Sequence, residues 1–209
     1  MSTQVPTKTL PSGAAIPMIG LGVKALADTK ASNDRLGLGY IDLYLLHAPG
    51  SPEERADTWR AVEDLHEQGI LKDIGVSNFS EALLSKLLKT ARVRPAVNQV
   101  ELHRWMMRSS LVKFCEDHGI LMQAYSPLAR ATKMDDPALV SIANQMGATP
   151  GQVLIAFSIA NGFITLLKSV HEDRLKSNLE SAKFKMSPSR WLGRVIHSYR
   201  WVGPDQGPD

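Results

Sequence analysis

Short apolar runs alternate with longer amphipathic stretches from residue 40 onward, and this alternation limits the folds open to the chain. The runs predict strands at 41–46, 72–76, 96–100, 120–124 and 163–167. The stretches predict helices near 52–68, 80–90, 109–118, 137–146, 150–161, 172–182 and 187–197, with Ser80 as an N-cap. Strand–helix units in series require parallel strands joined by right-handed crossovers. The pattern therefore predicts an α/β fold with a parallel sheet.

The first 23 residues differ from the rest because they are rich in Gly and Pro. They predict a hairpin around Pro11-Ser12-Gly13 and then a strand at 18–23. No linker divides the 209 residues, and single α/β barrels begin near this length. We therefore expect one domain.

Composition excludes several classes of protein. The chain is 44% apolar and 22% charged, which is ordinary globular usage. Cys115 is the only cysteine, so neither a disulfide scaffold nor a cysteine-based metal site is expected. We predict no metal. We see no signal peptide and no run long enough to span a membrane, so the expected location is the cytoplasm.

The positive charge is concentrated late in the chain. Residues 1–167 carry 16 basic and 16 acidic side chains, whereas residues 168–200 carry eight basic and three acidic ones. A small anionic ligand would explain this excess, and so would a solvated helix surface. Nucleic acid would require a longer basic stripe with interleaved aromatic residues, so it is not an expected partner.

Several motifs stand in a fixed order along the chain. They are D-L-Y-L-L-H-A-P at 42–49, G-V-S-N-F at 75–79, N-Q-V-E-L-H at 98–103, A-Y-S-P-L at 124–128 and L-K-S-V-x3-R-x3-N at 167–178. Together with L-P-S-G at 10–13, they make the chain resemble the aldo-keto reductase family. The resemblance implies a TIM-type (β/α)8 barrel that binds NADP(H) across its C-terminal mouth.

The resemblance also implies roles for individual residues. Ser77, Asn78 and Gln99 would hold the nicotinamide carboxamide, and Tyr125 would stack on the nicotinamide ring. Lys168, Ser169 and Arg174 would bind the 2′-phosphate, and Asn178 would contact adenine. Ser126, Leu128 and Val170 complete the implied cofactor-binding set. Ser177 stands where the family often has Glu.

The basic residues support this implication on physical grounds. Lys168 lies just after a predicted strand, and Arg174 lies in the first turn of the next predicted helix. An ammonium and a forked guanidinium near a helix N-terminus suit a phosphomonoester. An NAD site would favour an acidic ribose contact instead, so we predict NADP(H).

The chain departs from the family in its catalytic residues. The family uses a Tyr, Lys, Asp and His tetrad, and only His47 has a match in this sequence. Between Gly22 and Tyr40 there are 17 residues, which is too few for a βαβ unit, and they contain no D-T-A-x2-Y motif. Asp28 and Lys30 have suitable chemistry without the motif.

We therefore predict an incomplete barrel of about six strands rather than eight. Residues 1–23 would form the hairpin and first strand, 24–39 a shortened connection, and 40–203 the remaining β/α units and C-terminal segment. The gap would leave two sheet edges. The arc could tighten, residues 23–39 could plug the gap, or a homodimer could cover it; we favour coverage by a partner or a second copy.

Three functions remain open at this point. The first is NADPH-dependent reduction of a small-molecule carbonyl, enone or imine, with His47 as the remaining acid or base. The second is a redox-neutral isomerase, cyclase or dehydratase derived from the same fold. The third is a truncated binding form without activity.

Overall fold

A computed structural model describes residues 5–21 and 39–186 of the chain. Its strands are β1 (Thr7–Thr9), β2 (Ala15–Pro17), β3 (Ile19–Leu21), β4 (Ile41–Leu46), β5 (Leu71–Ser77), β6 (Val97–Glu101), β7 (Leu121–Tyr125) and β8 (Ile164–Leu167). Its α-helices are α1 (Arg55–Glu67), α2 (Glu81–Leu88), α3 (Ser109–Asp117), α4 (Pro137–Met146), α5 (Pro150–Ala160) and α6 (Glu172–Glu180). The predicted elements agree within a few residues. The predicted helix at 187–197 and residues 24–38 of the predicted connection at 24–39 lie outside the described residues.

Six parallel strands form one sheet in the order β3-β8-β7-β6-β5-β4. The strands β3 and β4 follow each other along the chain, yet they lie at opposite edges of this sheet. Within the described ranges, the sheet is therefore open between β3 and β4. This is the arrangement expected of a TIM-type barrel that has six strands, and the predicted fold class is confirmed.

Helix caps explain where several helices begin. The Ser80 hydroxyl accepts a hydrogen bond from the Leu83 amide at the start of α2, as predicted. The Asp136 carboxylate does the same for the Leu139 amide at the start of α4. Helix α5 begins with a capping box, in which Thr149 and Gln152 each bind the other's backbone amide. These local bonds satisfy amides that have no partner within the helix.

The sheet has apolar contacts on both faces. The outer face packs against the helices through residues such as Trp59, Ile74, Val76 and Leu84. The inner face, near the first residues of β6 and β7, packs against the hairpin residue Leu10.

The hairpin is also bonded to β5. Ser12 donates hydrogen bonds to the buried Asp73 carboxylate from its backbone amide and from its hydroxyl. The hairpin thus covers the N-terminal end of the sheet and leaves the C-terminal end for a site. None of the helices in the described ranges is long and apolar enough to cross a membrane.

Candidate functional site

The sequence-predicted site residues lie where the parallel strands end. His47 follows β4, Ser77 ends β5, Gln99 lies in β6, Tyr125 ends β7 and Lys168 follows β8. Since the strands are parallel, their carboxyl ends meet at one edge of the sheet. This is the end at which barrel enzymes build their sites.

Asn78 connects four of these strand ends. Its side-chain amide donates to the His47 carbonyl oxygen and to the Ser77 hydroxyl, both at 3.1 Å. Its side-chain oxygen accepts from the Tyr125 hydroxyl at 3.0 Å, and its backbone amide donates to the Gln99 carbonyl oxygen at 2.9 Å. The structure therefore brings together the four residues that the resemblance assigns to the nicotinamide end, with His47 beside them.

Two further hydrogen-bonded pairs support this cluster. The Gln99 side-chain amide donates to the Gln123 side-chain oxygen at 2.7 Å, which fixes the orientation of Gln99. On the outer face, the buried Asn98 side chain donates to the Phe79 carbonyl oxygen at 2.9 Å. This second bond holds the chain directly after Asn78, so the turn at the end of β5 has a fixed path.

Among the described residues, those other than glycine that have positive φ angles lie in the loops at the same end of the sheet. Asn78 has a φ of 63° and Ser126 a φ of 49°, and neither is a glycine. The three residues Ala129, Arg130 and Ala131 also have positive φ angles, in the loop that follows β7. Left-handed backbone at non-glycine residues costs free energy and tends to occur at functional sites. The position of these left-handed residues indicates that the functional site lies at the strand ends.

The basic residues after β8 fall into two groups. Lys176 is ion-paired with Glu172 at 2.7 Å and Lys183 with Glu180 at 3.3 Å, so these two cations have partners within α6 and the turn after it. Lys168, Arg174 and Lys185 are exposed and make no ion pair among the described residues. Of these, Lys168 follows β8 and Arg174 lies in the first turn of α6, so both remain available to an anionic ligand at this end of the sheet.

The other predicted contacts around β8 have mixed environments. The Ser169 hydroxyl accepts from the His171 amide at 3.1 Å, which shapes the turn before α6. Val170 is 85% exposed. Asn178 is half-buried on α6, one turn after Arg174. Leu128 packs its side chain into the apolar clusters around α4 and α5, so its side chain has a structural role.

Sequence reasoning missed a charged group beside the cluster. Glu101 ends β6, lies opposite Tyr125 in the sheet register and is only 18% exposed. Its carboxylate is 3.8 Å from the Arg130 guanidinium and 3.7 Å from Nε2 of His103. The period-two alternation of a strand puts Glu101 on the same face as Gln99, and that signal was sufficient to find it.

His103 is neutral in this environment. Its Nδ1 accepts a hydrogen bond from the Trp105 amide at 3.2 Å, so its proton lies on Nε2 and faces Glu101. Burial lowers the pKa of His103, and the Glu101 carboxylate opposes that shift. His47, by contrast, is exposed, and only its backbone oxygen bonds to Asn78. Asp28 and Lys30 lie outside the described residues.

Comparison with known proteins identifies the family. The model of the aldo/keto reductase family matches residues 23–192. Glyoxal reductase of Bacillus subtilis (strain 168) is 39% identical over 162 residues, which are 78% of this chain and 58% of that protein. Glycerol 2-dehydrogenase (NADP(+)) of Hypocrea jecorina is 36% identical over 180 residues, or 71% and 57% of the two chains.

The solved structures agree with the sequence relatives. The crystal structure of an aldo/keto reductase from Brucella melitensis is 28% identical, with a TM-score of 0.83 over 90% of this chain and 98% of that one. The chain spans 58–65% of the length of the first curated relatives that it matches. Since the family model covers most of the sequence and the folds agree, this chain belongs to the aldo/keto reductase family.

Proposed function

We propose that the chain binds NADP(H) and reduces a small-molecule carbonyl, enone or imine. One observation carries this proposal: the contacts among Asn78, Gln99 and Tyr125 lie at the same sheet end as Lys168 and Arg174, two cations without an ion pair in the described part of the chain. The first set offers one remaining Gln99 amide N–H, amide oxygens as acceptors and an aromatic ring. The second offers charge for a phosphate. A dinucleotide carries both complementary groups.

The donor set fits this cofactor in its chemistry. Ser77, Asn78 and Gln99 would bind the carboxamide, and Tyr125 would support the nicotinamide ring, with Ser126 and Leu128 beside it. Lys168, Ser169 and Arg174 would bind the 2′-phosphate, flanked by Val170, and Asn178 would contact adenine. The relative from Hypocrea jecorina bears NADP(+) in its name, and the one from Bacillus subtilis is named a reductase.

His47 is the acid that we assign to the reaction. When bound, NADPH would supply a hydride, and the anion left by hydride addition to a carbonyl, enone or imine then needs a proton. His47 is exposed at the end of β4, and the bond from Asn78 to its carbonyl oxygen fixes its backbone. Imidazole titrates near neutral pH and is suited to proton transfer.

We also propose a cytoplasmic location, because the single thiol is free and buried.

A redox-neutral reaction is the second candidate. The sequence lacks the motif that carries the family's Tyr, and the sheet is open between β3 and β4 in the described ranges. Both features favour a wider site that keeps His47 as a base.

The two open edges also favour a homodimer in which a second copy covers them.

Dinucleotide titration tests the cofactor proposal. We expect NADP+ to bind more tightly than NAD+, and Arg174→Ala to weaken NADP+ binding by about 1.5–3 kcal/mol, the usual contribution of a hydrogen bond to a charged group. Lys176→Ala is the matched control, because Lys176 lies on the same helix, is 67% exposed and is paired with Glu172. Equal affinity of the wild type for both dinucleotides would refute the proposal.

Turnover separates the two candidate functions. Oxidation of NADPH in step with loss of the substrate supports reduction, whereas product formation without net change in NADPH supports a redox-neutral reaction. We expect slow turnover with simple aldehydes, because the family's tetrad is represented only by His47. A rate typical of enzymes, about 10 per second, would show that another residue replaces the missing acid.

A further inference from the structure

The side chain of Gln152 joins helix α5 to helix α6. Its amide nitrogen donates to the Ser177 carbonyl oxygen at 3.1 Å, and its oxygen accepts from the Thr149 backbone amide at 3.0 Å. The Gln152 residue is only 8% exposed, so both bonds are shielded from solvent. The capping box of α5 explains the bond with Thr149. It does not explain the bond to Ser177, because Glu at position 152 would complete the box equally well.

The Ser177 carbonyl oxygen is one of those that a helix leaves without a backbone partner. An α-helix leaves its last four carbonyl groups unpaired, and Ser177 is the fourth residue from the end of α6. The backbone amide of the C-cap residue Ser181 bonds to the carbonyl oxygens of Asn178 and Leu179. The Ser177 oxygen accepts instead from the Gln152 amide and, at 3.4 Å, from the Ser181 hydroxyl. Gln152 therefore caps α6 from a neighbouring helix.

Helix α5 is a firm support for this contact. Residues 152–158 of α5 are all buried, and Ile155 belongs to one apolar cluster with Leu167 at the end of β8. Since α5 leads directly into β8 and packs against it, α5 begins at the end of the sheet where β8 finishes. Gln152, in the first turn of α5, therefore lies at the same end as the strand-end cluster.

Helix α6 lacks a buried face that would fix its position. None of its nine residues is buried in the described part of the chain. Its ion pair, from Lys176 to Glu172, lies within the helix, and Ala182 joins the apolar cluster around Ile155 only after the helix has ended. Because helices in proteins depend mainly on a packed apolar face, a hydrogen bond from a buried donor has a larger share in holding α6 in place.

The position of α6 matters because of the residues that surround Ser177. Arg174 lies three residues before Ser177, and Asn178 follows it directly. These are the two α6 residues that we assign to the 2′-phosphate and to adenine. The Gln152 bond uses the backbone of Ser177, so it holds both neighbours without depending on the side chain at position 177.

We propose that Gln152 is a positioning residue for the cofactor: it holds α6 where Arg174 and Asn178 meet the phosphate and adenine end of the dinucleotide. This proposal rests on the cofactor proposal above, because it concerns the same site. Without the bond, α6 would take up other positions for part of the time. The apparent affinity would then fall with the fraction of molecules that keep α6 in place. The nicotinamide end is built on β4 to β7 and would not change.

Binding of the two halves of the dinucleotide tests this role. The compound 2′,5′-ADP carries the phosphate and adenine end and is titrated calorimetrically, whereas reduced nicotinamide mononucleotide carries the other end and is followed by its fluorescence. Gln152→Met keeps the length of the side chain and loses both bonds, and Gln152→Glu loses only the bond to Ser177. We expect each variant to bind 2′,5′-ADP about three- to tenfold more weakly, the range for one hydrogen bond. Affinity for the mononucleotide should match the wild type.

Thr149→Ala is the matched control. It removes a hydroxyl from the same capping box and leaves the bond from Gln152 to Ser177 in place. We expect it to lower the midpoint of urea unfolding without changing the affinity for either ligand. Gln152→Met is neutral, so a loss in that variant cannot come from a new charge near the phosphate. Hydrogen exchange of the α6 amides, measured without ligand, should be faster in both Gln152 variants and unchanged in Thr149→Ala.

Three results would overturn the proposal. They are an unchanged affinity for 2′,5′-ADP in the Gln152 variants, an equal loss for both ligands, which would indicate a general loss of structure, and an equal loss in Thr149→Ala, which would assign the effect to the capping box. The test also distinguishes the two proposals. If the wild type binds 2′,5′-ADP and the Gln152 variants bind it equally well, only the positioning role fails. If the wild type binds neither half, the cofactor proposal fails, and the positioning role fails with it.

Discussion

Substitution of Asn78 tests whether the strand-end cluster depends on one side chain in a left-handed conformation. Its side chain makes three hydrogen bonds of 3.0–3.1 Å, to His47, Ser77 and Tyr125. Because Asn78 is exposed, each bond contributes near the low end of the usual range, about 0.5 kcal/mol. Loss of all three should therefore cost about 1.5 kcal/mol of unfolding free energy in either Asn78→Ala or Asn78→Gly.

The φ of 63° separates the two substitutions. Alanine pays about 1–2 kcal/mol more in the left-handed region, whereas glycine adopts it freely and loses only about 0.4–1 kcal/mol through greater chain entropy. We therefore expect Asn78→Ala to destabilise the protein by about 2.5–3.5 kcal/mol and Asn78→Gly by about 2–2.5 kcal/mol. The informative result is the order, since glycine is ordinarily the less stable of the two.

Urea unfolding, followed by tryptophan emission and by far-UV circular dichroism, measures both values. The control pair is Lys86→Ala and Lys86→Gly in helix α2, where glycine should be worse than alanine by about 1 kcal/mol. If Asn78→Ala proves as stable as Asn78→Gly, or more so, the left-handed strain does not operate. If both variants unfold at the wild-type midpoint, the three bonds do not hold the strand ends together.

Three further predictions address the acid, a buried ion pair and the thiol. His47→Ala should lower turnover by about 10²–10⁴-fold and leave NADP+ affinity unchanged, because Asn78 bonds only to the backbone of His47. In the same assays, His47→Gln distinguishes an orienting role from proton transfer. Full activity in both variants would place the acid elsewhere. Glu63→Gln should lower the unfolding free energy in urea by about 1–3 kcal/mol, because the buried carboxylate accepts two backbone amides at 2.7 and 2.8 Å and the half-exposed Arg92 guanidinium at 3.2 Å; a loss no larger than that of the exposed Glu67→Gln would contradict this. Burial raises the pKa of the Cys115 thiol to about 11, so at pH 8 it should react with a disulfide reagent only as fast as the protein opens, and immediate labelling of the native protein would contradict the buried placement.

The order of strands and helices was predictable because it depends on local patterns. Strands with nearly continuous apolar runs, such as β5 and β7, and helix α2 with its Ser80 cap were predicted within one or two residues at each end. The six strands that the described residues contribute to the parallel sheet also followed from the sequence, since the interval between Gly22 and Tyr40 is too short for the missing units. Length and periodicity are properties of neighbouring residues, so no tertiary information was needed.

The connections within the site could not be predicted in the same way. Asn78 bonds to His47, 31 residues earlier, and to Tyr125, 47 residues later, and a motif shows neither partner. The motif around Tyr125 also gave Leu128 as a cofactor contact, while its side chain packs into two apolar clusters. A motif fixes the residue type at a strand end, whereas the direction of the side chain depends on what the neighbouring strands and helices leave open.

The surroundings of Glu101 depend both on a local motif and on tertiary contacts. It belongs to a motif, but nothing in the motif says that a carboxylate at the end of β6 will lie near arginines from two separate loops. Those arginines are 22 residues apart in sequence, and both take the left-handed backbone that other residues would avoid. The strand end fixes where the Glu101 carboxylate lies, whereas the loops after β6 and β7 decide which charged groups surround it.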